Sequence, residues 1–491
     1  MNRTSRVALV ILFIIQFALS FRPGALAWDG AFYYATARSL AFDRDLHLGN
    51  DLLLVYEISP GADFVAEHFE EELTPTGRVA SPFPIGASLL WLPWLAAIAA
   101  WGRLLGWIGL GPATLTGIEW PFVWGAAAVT CVYGWLAILA AVRLARRFAG
   151  EPAALLAGAT AMFTTPLWYY GFREPFYAHA ASALMTALFV TAWWQSVERG
   201  EQRPGPALGL GLLGGLAALV RPQNVTYLIL PVLSAITPDG RQRRLPNLIL
   251  TLLGALLTMT PQFIAWQLLY GRLVTIPQGP GFMDWRAPWV REVLFSPFHG
   301  LLPWMPLVVP ALFGLARLAR RVPRLVLPLL LAFLAQVTVN GCVSDWFGGG
   351  GYGPRRFDST LVILIVGYAA LLDGRKERWY RALTVGLSGL LVLHQWLIMR
   401  YGFDEHIGGQ VTRTSPACEW QVANFGQFVH QLAGYIPPAI RQPLQTLILP
   451  GSPLSGGDPV ALFRQFALLA AVLAVVWLLW TAGKRLARSP D

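Results

Sequence analysis

The stretch Trp28-Asp29-Gly30-Ala31-Phe32-Tyr33-Tyr34 sets an acidic residue at the head of an aromatic segment, just past the first strongly apolar run. A carboxylate at a water–lipid boundary can take a proton from an incoming hydroxyl, with Tyr33 placed to line the substrate. The same carboxylate could instead N-cap the helix that continues through Tyr34 and Arg38.

Four more constellations could carry chemistry. Trp168-Tyr169-Tyr170-Gly171-Phe172-Arg173-Glu174-Pro175-Phe176 joins two apolar runs. There Arg173 could hold an anionic head group and Glu174 supply a second carboxylate, or the two could snorkel to the interface as a structural pair. His179 reads as a hydrogen-bonded helix residue. Arg221-Pro222-Gln223-Asn224 interrupts apolar sequence, so Arg221 should face the outer interface or an anion. Asn224-Val225-Thr226 matches a glycosylation sequon by chance at an apolar helix start.

The most specific pattern is Asp345-Trp346-Phe347-Gly348-Gly349-Gly350-Gly351-Tyr352-Gly353-Pro354-Arg355-Arg356-Phe357. Its glycines permit positive φ and expose backbone amides, and Arg355 and Arg356 offer bidentate donors to a phosphate. Tyr352 would line the substrate beside them. The spacing is neither a Walker nor a dinucleotide pattern. In Phe295-Ser296-Pro297-Phe298-His299, Ser296 reads as a cap and His299 as a further substrate-lining candidate. Glu57 and Glu70 to Glu72 read as solvated surface. Cys131, Cys342 and Cys418 lack metal-site spacing; Cys131 reads as a small buried hydrophobe, and Cys342 and Cys418 fall on the exterior side, where a disulfide could form.

These groups must be positioned by membrane helices. The chain has 491 residues, is 55% hydrophobic and only 13% charged. Its mean hydropathy is +0.51. A soluble protein of that length would need more charge to cover its surface, so the composition implies a polytopic all-α membrane protein. Lys and Arg outnumber Asp and Glu by 37 to 27, a net +10, but the cations punctuate apolar runs instead of clustering on a polar domain. They read as topology signals and not as a nucleic-acid surface.

Apolar runs predict about twelve helices, near 7–21, 117–142, 153–169, 177–196, 207–220, 223–237, 247–269, 300–316, 325–343, 359–372, 382–399 and 460–482. Every second loop is basic, as at Arg143, Arg146 and Arg147, which places the N- and C-termini in the cytoplasm. The N-terminus imitates a secretory signal, but the many following spans favour an uncleaved first helix. The run from Ser81 to about Ile108 is long enough to span, yet counting it would invert every later loop. It is therefore expected to lie in the outer interface or to re-enter, started by Pro82 and Pro84. The result is one membrane domain over 1–491, with a first exterior loop at 22–116 carrying interfacial helices and a second at 400–458. The helices hold almost no ionisable residue at mid-depth: His179, Arg221 and Arg464 fall near outer ends, and Asp345, Arg355, Arg356 and Asp358 in an outer loop. Coupled transporters usually need charge at the midplane.

Taken in order, these residues resemble the GT-C superfamily of polytopic glycosyltransferases, nearest to protein O-mannosyltransferases and lipid A aminoarabinose transferases. The likeness runs through Trp28-Asp29-Gly30, Ser81-Pro82-Phe83-Pro84, Arg143-Leu144-Ala145-Arg146-Arg147, Arg173-Glu174-Pro175, Gly215 to Pro222, Ser296-Pro297, and Trp346 through Arg356. Each motif is short; their order covers most of the chain. The resemblance implies a GT-C-like fold, an inner-membrane location and a polyprenyl-phosphate sugar as donor. It maps the base onto Asp29 and a second acid onto Glu174. Gly30 departs from the paired acids that often follow the first helix of the family.

The reaction so implied is transfer of the sugar to a lipid, glycan or protein acceptor on the exterior or periplasmic side. Asp29 would act as general base, with Arg355, Arg356, Arg221 and Arg173 on the donor phosphate, and in-line attack predicts inversion. No cofactor is required, and a divalent metal bridging Asp29 and Glu174 is compatible with the scheme. The rival readings are a lipid-linked glycan flippase, which predicts a continuous polar path, and a non-catalytic membrane scaffold, which predicts that Asp29 and Arg355 tolerate substitution.

Overall fold

The structure is a computed structural model, and it describes residues 28–58, 73–111, 114–200, 203–236, 241–286, 288–296, 299–349, 351–374 and 377–398, with part of 10–26. The exterior loop expected at 400–458, the helix expected at 460–482, Arg464, Cys418, Glu70 to Glu72 and much of the first helix lie outside the described residues. Among the described residues the helices are α1 Asp29–Arg38, α2 Leu48–Glu57, α3 Gly86–Trp107, α4 Trp120–Ala145, α5 Glu151–Thr164, α6 Leu167–Phe172, α7 His179–Arg199 and α8 Pro204–Val220. They continue as α9 Ile229–Ile236, α10 Arg241–Tyr270, α11 Val290–Phe295, α12 Leu301–Trp304, α13 Val308–Ala319, α14 Pro323–Gly341, α15 Leu361–Leu372 and α16 Arg378–Leu397. The described part is helical, with isolated β-bridges and no named strand.

Helix starts follow from local sequence. Prolines occupy the first turn of α4, α5, α8 and α14, where a missing N–H costs nothing and the fixed φ suits the helix. Just before α4, the Glu119 carboxylate accepts the backbone N–H groups of Thr116 at 2.8 Å and Gly117 at 2.9 Å. The run expected as one helix at 223–237 is a 3₁₀ turn, Pro222–Leu228, followed by α9, because Pro222 lacks the N–H that would continue α8. At the bundle's centre, α15 is buried on nearly every side, as an all-apolar helix requires.

The helices run alternately between two unlike ends. Arg143, Arg199, Arg203, Arg317 and Arg324 mark one end, where Arg147 pairs with Glu198 and Arg146 lies 2.6 Å from Glu151. His179, Arg221, Gly341 and the start of α15 lie at the other end with Asp29. The N-terminal segment packs antiparallel to α4, Phe13 against Trp135 at 5.3 Å and Phe21 against Trp124 at 5.7 Å.

By length and hydropathy alone, four described helices could cross a membrane: Gly86–Trp107, Trp120–Ala145, Leu245–Tyr270 and Pro323–Gly341. Of the twelve runs expected to span, 460–482 and much of 7–21 lie outside the described residues, and Gly86–Trp107, expected not to cross, is among these four. The contacts of α3 show how it sits. Its approach descends along α10: Tyr270 donates to the Ser81 carbonyl at 2.8 Å and Gln262 accepts the Ile85 N–H at 2.9 Å. The helix then rises antiparallel to α4, with Trp91 bonded to Thr130 and Tyr133 to the Leu90 carbonyl, and emerges toward the end where α4 begins.

Candidate active site

Asp29 opens α1. Trp28 precedes it with φ 51° and is 69% exposed, an interfacial aromatic that turns the chain into the helix. No side chain caps α1, so the Asp29 carboxylate is not spent on orphan amides. It reaches across the fold instead: Arg355 Nη1 donates to Asp29 Oδ2 at 2.9 Å, over 326 positions of sequence. Gly30 permits this placement, since a Cβ there would lie 2.8 Å from Phe176 Cβ.

Arg355 is delivered by the glycine-rich loop. The chain turns at Gly348 with φ 76°, a conformation that favours glycine, and then enters the 3₁₀ turn Arg355–Thr360 that leads into α15. A Cβ at Gly351 would sit 2.6 Å from the Tyr170 hydroxyl and 3.1 Å from Arg355 Nε, so glycine there makes room for both. Tyr170 Oη accepts the Tyr352 N–H at 2.7 Å. The Arg355 guanidinium lies over the Tyr177 ring, 5.5 Å from its centroid. Arg356 pairs with Asp345, and Gln223 donates to the Arg356 carbonyl. The expected loop arginines are thus both present at the site, each already holding a carboxylate.

Sequence reasoning missed a buried cluster beneath them. His179 Nδ1 lies 2.6 Å from Asp358 Oδ2 and 2.7 Å from Arg221 Nη1, with the His179 and Asp358 side chains 2% and 1% exposed. The signal was available: Asp358 falls one turn after Arg355, at the mouth of an apolar run, where a charge needs a partner.

The remaining expected residues are spread around this core. Glu174 is half-buried and follows exposed Arg173; burial pushes its carboxyl up to about 7, while Arg173 pulls it back. Tyr33 is buried, its ring 5.1 Å from Phe83. His299 Nδ1 sits 2.8 Å from the Phe347 carbonyl, its ring edge-on to Trp304 at 4.8 Å. Tyr352 is fully buried, stacked on Tyr169 at 4.8 Å, and its hydroxyl accepts from Gln395. Tyr352 and Trp304 therefore form an aromatic floor beneath the loop. Cys131 and Cys342 are both buried. Among the described residues no three His, Cys, Asp or Glu side chains converge.

No family's sequence profile matches the chain, and no curated protein sequence does. Solved structures do. The chain is similar to ArnT from Cupriavidus metallidurans in its apo state, at 15% identity and a TM-score of 0.52, covering 96% of this chain and 76% of that one. It is similar to the same protein bound to undecaprenyl phosphate at 16% identity and a TM-score of 0.54, covering 99% and 79%. The likeness covers nearly the whole sequence, and the chain therefore shares the fold of ArnT, a GT-C-like all-α architecture.

Proposed function

We propose that the protein is a glycosyltransferase that moves a sugar from a polyprenyl-phosphate donor to a hydroxyl-bearing lipid, glycan or protein, with inversion at the anomeric carbon. The reaction would run at the outer, periplasmic side, since the arginine-rich helix ends lie opposite the site and arginine-rich loops stay inside. The acceptor oxygen bonds to the anomeric carbon as the bond to the phosphate oxygen breaks. That electron pair leaves with the phosphate, and Asp29 takes the hydroxyl proton. Arg355, Arg356 and Arg221 meet the growing negative charge, with Arg173 at the entrance; such preorganised donors are typically worth about 3 kcal/mol each. Glu174, held protonated toward neutral pH by burial, supports as second acid.

One observation carries the reading: a carboxylate on the first exterior helix and an arginine of the glycine loop meet at 2.9 Å on a GT-C fold. The undecaprenyl phosphate bound to ArnT supports the donor class. Transport would need a polar path, and α15 at the bundle's centre carries no charged residue. The test is transfer in proteoliposomes from a panel of radiolabelled polyprenyl-phosphate sugars, wild type against Asp29→Asn. Loss of about two or more orders of magnitude in a folded variant is expected for a general base. Equal transfer by both would remove Asp29 from the mechanism.

A further inference from the structure

The base and the phosphate ligand cannot both act while they hold each other. Asp29 Oδ2 is 2.9 Å from Arg355 Nη1. That contact occupies a lone pair of the Asp29 carboxylate and an N–H of the guanidinium at once. The guanidinium is equally constrained. Its face rests on the Tyr177 ring, 5.5 Å from the centroid, so it meets an anion through its N–H edges. Bidentate phosphate binding uses two N–H groups of one edge. The edge that contains Nη1 is the one that Asp29 holds.

The geometry points to a charge exchange at Arg355: an arriving polyprenyl phosphate takes the guanidinium edge that Asp29 holds in its absence, so donor binding frees the base. The inference rests on the transferase reading and adds an order to it, donor before acceptor activation. Asp29 is the more exposed partner, 25% against 12% for Arg355, so the carboxylate can turn outward while the arginine stays on Tyr177. Arg356 repeats the arrangement with Asp345, whose side chain is 43% exposed against 13%. Both arginines are thus covered by the more accessible carboxylate of each pair. An unproductive consequence is avoided as well: without donor, Asp29 is not presented as a free base to water or acceptor.

The test is equilibrium binding of radiolabelled undecaprenyl phosphate, without sugar, to the full chain in nanodiscs. Wild type is compared with Asp29→Asn, Arg355→Gln and the double variant, and sugar transfer is measured on the same preparations. Exchange predicts that Asp29→Asn binds the phosphate about ten-fold tighter, roughly the worth of a modest ion-pair competition. Arg355→Gln should bind more weakly, and Asp29→Asn should add nothing in that background. Unchanged or weaker binding by Asp29→Asn overturns the exchange; if that variant still loses transfer, the transferase reading survives alone. Absence of binding by every form overturns the exchange and the donor assignment together.

Discussion

His179 stands between Asp358 and Arg221, its Nδ1 2.6 Å from one carboxylate oxygen and 2.7 Å from a guanidinium nitrogen. The three residues come from the start of α7, the turn before α15 and the end of α8, so the contact ties three helices together just below the loop arginines. Its chemistry is that of a support. His179 and Asp358 are too enclosed to meet a substrate, but they fix where Arg221 can be.

Asp358→Leu should therefore be the more damaging of two substitutions. It removes the buried carboxyl that lies 2.6 Å from His179 Nδ1 and that burial lifts to about 8, and loss of a buried polar partner costs about 1–3 kcal/mol. Asp358→Asn keeps an acceptor oxygen and should fall between this and wild type. Thermal denaturation in detergent reads the ranking; two wild-type melting curves would show that the cluster bears no load.

Glu174 predicts a pH signature. Its folded value of about 7 lies above the ordinary carboxylate range, and burial is the main cause. The folded state thus binds the proton more tightly than the unfolded chain does. The resulting stabilisation is complete below about pH 4.5 and is lost as pH rises through about 7. Glu174→Gln is neutral at every pH, so wild type should lose about 1–2 kcal/mol relative to it between pH 5 and 8, after allowance for partial exposure. A constant difference in melting temperature across that range would contradict the shift.

The separate parts of the site were legible in the sequence because each breaks a local rule. Asp29 and Arg221 are charges beside apolar runs, and the loop from Gly348 to Arg356 clusters glycine before two arginines. Most helices were legible as apolar runs, to within a few residues at many ends, as α7 and α14 show. The pairings were not legible. No periodicity links Asp29 to Arg355 across 326 positions or Arg221 to His179 across 42. Such contacts are decided by which helices pack together. Tyr352, expected to line the substrate, is instead buried, its ring packed on Trp304 and its hydroxyl taken up by Gln395.

Gly351 offers a direct test of that packing. Gly351→Ala places a methyl 2.6 Å from the Tyr170 hydroxyl and 3.1 Å from Arg355 Nε. Overpacking of this kind costs about 1–3 kcal/mol. Tyr170→Phe alone should also destabilise, because the buried Tyr352 N–H loses its acceptor. Combined, the changes should be less harmful than their sum, by about 1 kcal/mol, since removing the hydroxyl makes room for the methyl. Strict additivity in a thermal double-mutant cycle would mean that the loop relaxes some other way.

Arg38 holds the helix that carries Asp29. Its Nη1 lies 2.7 Å from Asp43 and also contacts Asp51, while Nε donates to the Thr116 carbonyl at 2.8 Å. One side chain thereby joins α1, α2 and the approach to α4, and the Asp51 side chain is 0% exposed. Arg38→Ala removes the buried partner and should cost about 3–5 kcal/mol at pH 8. Arg38→Lys should recover part of this, because one ammonium cannot reproduce the planar fork. Asp43→Asn, at the more exposed partner, should cost about 0–1 kcal/mol. The alanine defect should also depend on pH. Burial lifts the Asp51 carboxyl to about 6 with Arg38 pulling it down, so without Arg38 it should rise further. At pH 5 the carboxyl is then neutral in the variant and the missing cation matters less; at pH 8 the fold must hold a proton or bury a bare charge. The gap between wild type and Arg38→Ala should therefore widen from pH 5 to pH 8, and a gap that stays flat would show that Asp51 does not depend on Arg38.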